Sequence, residues 1–180
     1  MALHFSKEEF QKRKLNVLKS MKEQKLDALL MFRQESMYWL TGYDTFGYVF
    51  FQTLVLDQKG NIILLTRAPD LRQAQNTSNI EDIRIWVDKD GSNPTDDLKI
   101  ILEELSLKGK KIGIEYEAYG MTGRNALRLN KSLENYSEVE DQSELITKHR
   151  VIKSKEEIVY VKKAAYLADK ALDEAWKYTK

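Results

Sequence analysis

Between Tyr43 and Gln52 the chain sets five aromatic rings among polar residues, in the order Tyr43-Asp44-Thr45-Phe46-Gly47-Tyr48-Val49-Phe50-Phe51-Gln52. Rings and a carboxylate at this density suit contact with a small ligand rather than the making or breaking of bonds. A polar turn ahead of a buried strand places its residues at the rim of a sheet, where ligands are met. On that ground Tyr43, Asp44, Tyr48 and Phe50 are candidate ligand-contact residues, while Phe46, Val49 and Phe51 are assigned to the core. Arg67, just after the apolar run Asn61 to Leu65, is a further candidate.

Residues for bond-breaking chemistry are thin. The two histidines, His4 and His149, lie in no H-E-x-x-H or comparable ligand spacing. His149, within Lys148-His149-Arg150, reads as a surface residue. With no cysteine, neither a disulfide nor a thiolate metal site can form. Asp88-Lys89-Asp90-Gly91 opens like a calcium loop, but Ser92-Asn93-Pro94 departs from the remaining ligand pattern, so a solvated turn is expected. No G-x-S-x-G elbow, phosphate-binding loop or dinucleotide glycine pattern occurs, and Gly120-Met121-Thr122-Gly123 reads as a loop meeting a helix start. No catalytic, metal or cofactor residue is therefore assigned to this chain.

A length of 180 residues supports one substantial core. Hydrophobic residues at 42% and charged residues at 32% are ordinary for a globular domain. The formal net charge of +1 gives no electrostatic case for nucleic acid or an anionic membrane. Lys12-Arg13-Lys14 is read as the solvated face of a first helix. The first residues lack the apolar run of a signal peptide, and no stretch approaches the roughly 18 apolar residues that span a bilayer. A cytoplasmic location is the expectation.

The elements that must position the candidates alternate between helix and strand. Ser6 caps a first helix with Glu9 three residues on, and Phe10, Leu18 and Met21 form its buried side. Ala28 to Phe32 is an unbroken apolar run, the mark of a strand buried on both faces. Tyr48 to Leu56 reads as a longer strand, returning through Asp57-Gln58-Lys59-Gly60 as the hairpin partner Asn61 to Leu65. Ile83 to Val87, Lys111 to Glu115 and Tyr136 to Glu140 add further strands. Helices are expected from Asn93-Pro94 and from about Thr122 to Leu133. These elements predict an α/β fold with a mixed β-sheet flanked by helices.

The last helix is different. Ser154 with Glu157 makes a capping box, and Ile158, Val161, Ala165, Ala168, Leu172 and Trp176 form an apolar stripe, widened by Leu167, that meets no stop signal. Its opening, Arg150-Val151-Ile152-Lys153-Ser154-Lys155-Glu156-Glu157-Ile158, resembles the junction of the creatinase, prolidase and aminopeptidase P family, which joins an N-terminal domain to a catalytic "pita-bread" domain. Met37-Tyr38-Trp39-Leu40-Thr41-Gly42-Tyr43 is similar to that family's aromatic-Leu-Thr-Gly-aromatic segment.

The resemblance implies ribonuclease H-like layering, with an N-terminal domain over 1–153 and a connector helix over 154–180 leading to a catalytic domain not contained in this chain. The parent protein is then a dimeric hydrolase of C–N bonds, with two divalent ions (Mn, Zn or Co) held by that other domain, and this chain alone is expected to be inactive. Its partners are its own catalytic domain, a second subunit of a homodimer, and a small-molecule or dipeptide substrate. In the family the N-terminal domain supports dimerisation and overhangs the partner subunit's active site, which gives Tyr43, Asp44, Tyr48, Phe50 and Arg67 a substrate-shaping role in trans. Leu40-Thr41-Gly42-Tyr43-Asp44 and the aromatic strand after it look nearer to ectoine hydrolases and creatinase-like enzymes than to the average prolidase. Phe50 stands where creatinase uses an Arg on the substrate carboxylate, so creatine is disfavoured, leaving a small cyclic amidine or an Xaa-Pro dipeptide. The alternative is a free-standing protein-binding module of the same fold.

Overall fold

The computed structural model describes residues 3–179. Six strands form one sheet: β1 (Ala28–Met31), β2 (Thr53–Asp57), β3 (Ile62–Arg67), β4 (Asp82–Trp86), β5 (Lys111–Ile114) and β6 (Glu138–Asp141), in the order β4-β3-β2-β1-β5-β6. Pairing is antiparallel for β1–β2 and β2–β3 and parallel for the rest, so β2 alone runs against the others. The helices are α1 (Lys7–Glu23), α2 (Gln34–Thr41), α3 (Leu71–Thr77), α4 (Pro94–Glu104), α5 (Gly123–Leu133), α6 (Leu145–Val151) and α7 (Lys155–Tyr178). The expected α/β class with a mixed sheet flanked by helices is what forms.

Alternation along each strand builds two apolar layers, because successive side chains leave a strand on opposite faces. Leu30, Val55, Leu65, Ile112 and Ile114 pack with Leu98, Leu102 and Leu129 of α4 and α5. On the other face Leu29, Met31, Leu54, Leu56 and Leu64 pack with Val17 and Met21 of α1, Leu40 of α2 and Ala74 of α3. The hairpin register, with Leu54 opposite Leu64, is set by the turn. There Asp57 Oδ1 accepts from the backbone N–H groups of Lys59 and Asn61, and Gly60 takes the left-handed φ of +86°.

Three corrections concern the neighbourhood of the candidates. The strand expected from Tyr48 begins only at Thr53; Gly47–Val49 is a turn of 3-10 helix, and it sends Val49 outward instead of into the core. Phe46, also assigned to the core, is 86% exposed. Arg13 is not solvated: it is 2% exposed, in phase with Phe10, Val17 and Met21 on the buried side of α1. Its guanidinium binds Glu9 at 3.0 Å and the Trp39 carbonyl at 2.7 Å, and it lies over the Phe5 ring.

The chain divides into two compact units, one ending at His149 and the other beginning at Arg150. Within the second, α7 has the expected cap: Ser154 Oγ accepts from the Glu157 N–H at 3.2 Å, and Glu157 Oε2 accepts from the Ser154 N–H at 2.7 Å. None of its residues is buried, and Val161, Leu167, Leu172 and Trp176 are all exposed. Among the described residues no helix is long and apolar enough to cross a membrane.

Candidate functional site

β1, β3, β4 and β5 all point the same way, so their carboxyl ends share one edge of the sheet. The 43–52 segment enters the antiparallel β2 from that same edge. Two close approaches hold it there. Gly47 lies so near the Asp70 carboxylate that a Cβ would come within 2.6 Å of it, and a Cβ on Gly120 would collide with the Phe50 carbonyl oxygen. Trp86 Nε1 donates to the Phe51 carbonyl at 2.9 Å, and the Phe51 ring meets Phe32 edge-on at 5.3 Å.

The sequence candidates separate in space. Tyr48 is half-buried, with its ring 5.6 Å from that of Tyr119. Phe50 is 42% exposed and carries the Arg67 guanidinium 3.3 Å above its ring. Arg67 in turn pairs with Asp70 at 3.3 Å and Asp88 at 3.6 Å, which fixes the Phe50–Arg67 stack from below. Asp44 is exposed and stands apart, its backbone N–H donating to Thr77 Oγ1. Tyr43 is not at the rim. It is fully buried, its hydroxyl donates to Gln52 Oε1 at 2.9 Å, and burial raises its pKa above the ordinary phenol value. Its side chain supports the loop from inside.

His149, read as a surface residue, is only partly exposed: its Nε2 shares a 3.0 Å hydrogen bond with Ser20 Oγ, and its ring stacks on Trp39 at 6.1 Å. Burial lowers its pKa.

A recess of about 450 Å³ opens beside Tyr48, and sequence reasoning misses it. From β1 the chain proceeds through β2, β3 and β4 on one side, then crosses to the other side of β1 as β5. The carboxyl ends of β1 and β5 therefore flank the point where the sheet's winding reverses, the usual place for a ligand in open α/β sheets. Arg33, Gln34 and Glu35 follow β1 into the recess, and Tyr116, Glu117 and Tyr119 follow β5. Glu115 fixes this corner. Its Oε2 accepts the N–H groups of Phe32 and Arg33, each at 3.0 Å, and its Oε1 accepts the Ser36 hydroxyl at 2.6 Å. Burial pushes the Glu115 carboxyl up to about 7, against the opposing pull of those hydrogen bonds and of the Arg33 charge. The one signal available in sequence is an acid ending an apolar strand.

A family model described as the Creatinase/Prolidase N-terminal domain matches residues 13–152. The chain belongs to this family. An "uncharacterized hydrolase/peptidase y4tM" of Sinorhizobium fredii is 29% identical over 180 residues, covering 96% of this chain and 46% of that protein. An ectoine hydrolase of Halomonas elongata is 26% identical over 171 residues, covering 91% and 43%. Among solved structures, a dipeptidase from Pyrococcus horikoshii OT3 superposes with a TM-score of 0.74 at 26% identity, over 92% of this chain and 44% of that one. This creatinase/prolidase N-terminal domain thus spans about half the length of the curated relatives it matches. Family members are hydrolases. Among the described residues no group of three or more His, Cys, Asp or Glu side chains is placed to hold a metal ion.

Proposed function

We propose that this domain serves a dimeric, metal-dependent C–N hydrolase as its non-catalytic N-terminal part, supporting dimerisation and closing over the partner subunit's active site. The observation that carries this reading is the exposed aromatic rim. Phe46 at 86% and Phe50 at 42% exposure, with Tyr48 between them, are held on a loop pinned by Gly47 and Gly120. Large rings left in water on a fixed support suit a wall that excludes water from another subunit's chemistry. Asp44, Tyr48, Phe50 and Arg67 are its substrate-shaping residues. The substrate in this reading is an Xaa-Pro dipeptide or a small cyclic amidine, and the similarity to a dipeptidase and to an ectoine hydrolase supports a dipeptide or an ectoine-like molecule. The two divalent ions belong, in this reading, to the catalytic domain, and no step is assigned to them in this one.

Complementation in mixed dimers of the whole enzyme tests it. A Tyr48→Ala subunit is combined with one lacking a catalytic metal ligand. If the rim acts across the dimer, one site carries both defects and the other neither, so activity returns. No recovery in dimers shown to have exchanged subunits overturns the trans role. Phe51→Ala provides the contrast: it should lose stability first, by about 3–5 kcal/mol, as expected for emptying a packed aromatic site.

A further inference from the structure

The recess between β1 and β5 combines aromatic faces with a surplus of negative charge. Tyr48, Tyr116 and Tyr119 supply the rings, and Glu35 and Glu117 supply carboxylates. The single cation of the lining, Arg33, is already engaged. Its Nη2 donates to Glu117 Oε2 at 2.6 Å, its Nε to the Glu117 carbonyl at 2.9 Å, and its Nη1 to Thr147 Oγ1 at 2.7 Å. The Glu35 side chain is exposed and makes no hydrogen bond or ion pair among the described residues. Set in the first turn of α2, it also offsets the partial positive charge that the helix start would offer an anion. A site with its arginine neutralised, one carboxylate unspent and tyrosine faces on its walls attracts a cation that sheds water easily.

We propose that this recess is a binding site for a small organic cation of the alkylammonium or amidinium class, held by the rings of Tyr48 and Tyr119 and by the Glu35 carboxylate. The two rings sit 5.6 Å apart in an edge-to-face arrangement, and both line the recess. A volume of about 450 Å³ accommodates a molecule of amino-acid size. The site lies wholly on this chain, so it stands whether or not the loop works in trans on a partner.

The probe is tetramethylammonium chloride, titrated into the 180-residue chain at constant ionic strength and followed by amide chemical shifts. Saturable shifts centred on Glu35, Tyr48 and Tyr119 are expected, with sodium acetate giving none there. Tyr119→Ala and Glu35→Gln should each weaken binding roughly five- to tenfold, the scale of losing one ring or one charge from such a site. Tyr119 is 78% exposed, so its removal leaves the fold intact and the comparison readable. Shifts that do not saturate, that scatter over the surface, or that survive both substitutions overturn the proposal. Acetate binding in the recess more tightly than tetramethylammonium overturns it equally, since the helix start would then be the dominant feature.

Discussion

Glu115 sits where charge is costly and where three donors converge on it, from Phe32, Arg33 and Ser36. Burial dominates, raising its pKa from 4.5 to about 7. The folded state therefore binds the proton more tightly than the unfolded chain. Stability from this group is fully present below about pH 4.5 and is lost as pH rises towards about 7, by about 3 kcal/mol in all. Glu115→Gln keeps an oxygen for the two backbone N–H groups and an amide for Ser36 Oγ, but has no charge to bury. Urea unfolding of both proteins between pH 4.5 and 8 should show the variant gaining on the native chain as pH rises. Parallel curves would remove Glu115 as the titrating group. Tyr43 and Tyr48 carry a different lesson. Both are tyrosines among polar neighbours, and nothing local separates them. What separates them is tertiary: Tyr43 finds Gln52 inside the sheet's edge, whereas the turn at Gly47–Val49 brings Tyr48 to Tyr119.

Elements bounded by strong local chemistry are legible in the sequence. The strands β1, β3 and β5 are apolar runs between turns, and Ser6 and Ser154 each cap a helix through the expected hydroxyl. The short helix α2 is not, because its aromatic run carries no helical period long enough to read. Its plainest mark is Gly42, whose φ of +83° closes the helix in the left-handed region. The recess is invisible for a related reason: it joins segments more than eighty positions apart, as in the Arg33–Glu117 pair. Loop packing at this edge makes its own prediction. A methyl on Gly120 would overlap the Phe50 carbonyl, a backbone atom that cannot swing aside. Gly120→Ala should cost on the order of 1–3 kcal/mol and disturb the Tyr48–Tyr119 contact. Gly123, with nothing within 4 Å of an added methyl and no left-handed φ, is the control, expected within about 0.5 kcal/mol of native on substitution by Ala. Equal effects in denaturant unfolding would show that the 2.6 Å approach at Gly47, or another contact, sets the loop instead.

At the scale of the molecule, the first unit contains both apolar layers, while the second consists of the chain from Arg150 and contains no buried residue of α7. The helix is nonetheless well specified. Its capping box closes both ways at Ser154 and Glu157, and its 24 residues exceed the length at which isolated helices are marginal. In the proposed reading α7 is a connector, and its exposed stripe of Val161, Leu167, Leu172 and Trp176 is the feature that tests this. Removal of everything after Lys153 should then change the unfolding free energy of the first unit by no more than about 0.5 kcal/mol, the usual range for surface changes. The pattern of protected amides within the first unit should also be unchanged. Burial of several large apolar side chains is worth several kcal/mol, at about 1.5–3 kcal/mol each. A loss of that size on truncation would place the stripe inside this domain's core and refute the connector role. Unchanged stability, with loss of self-association at high concentration, would instead identify the stripe as the surface that seeks a cover.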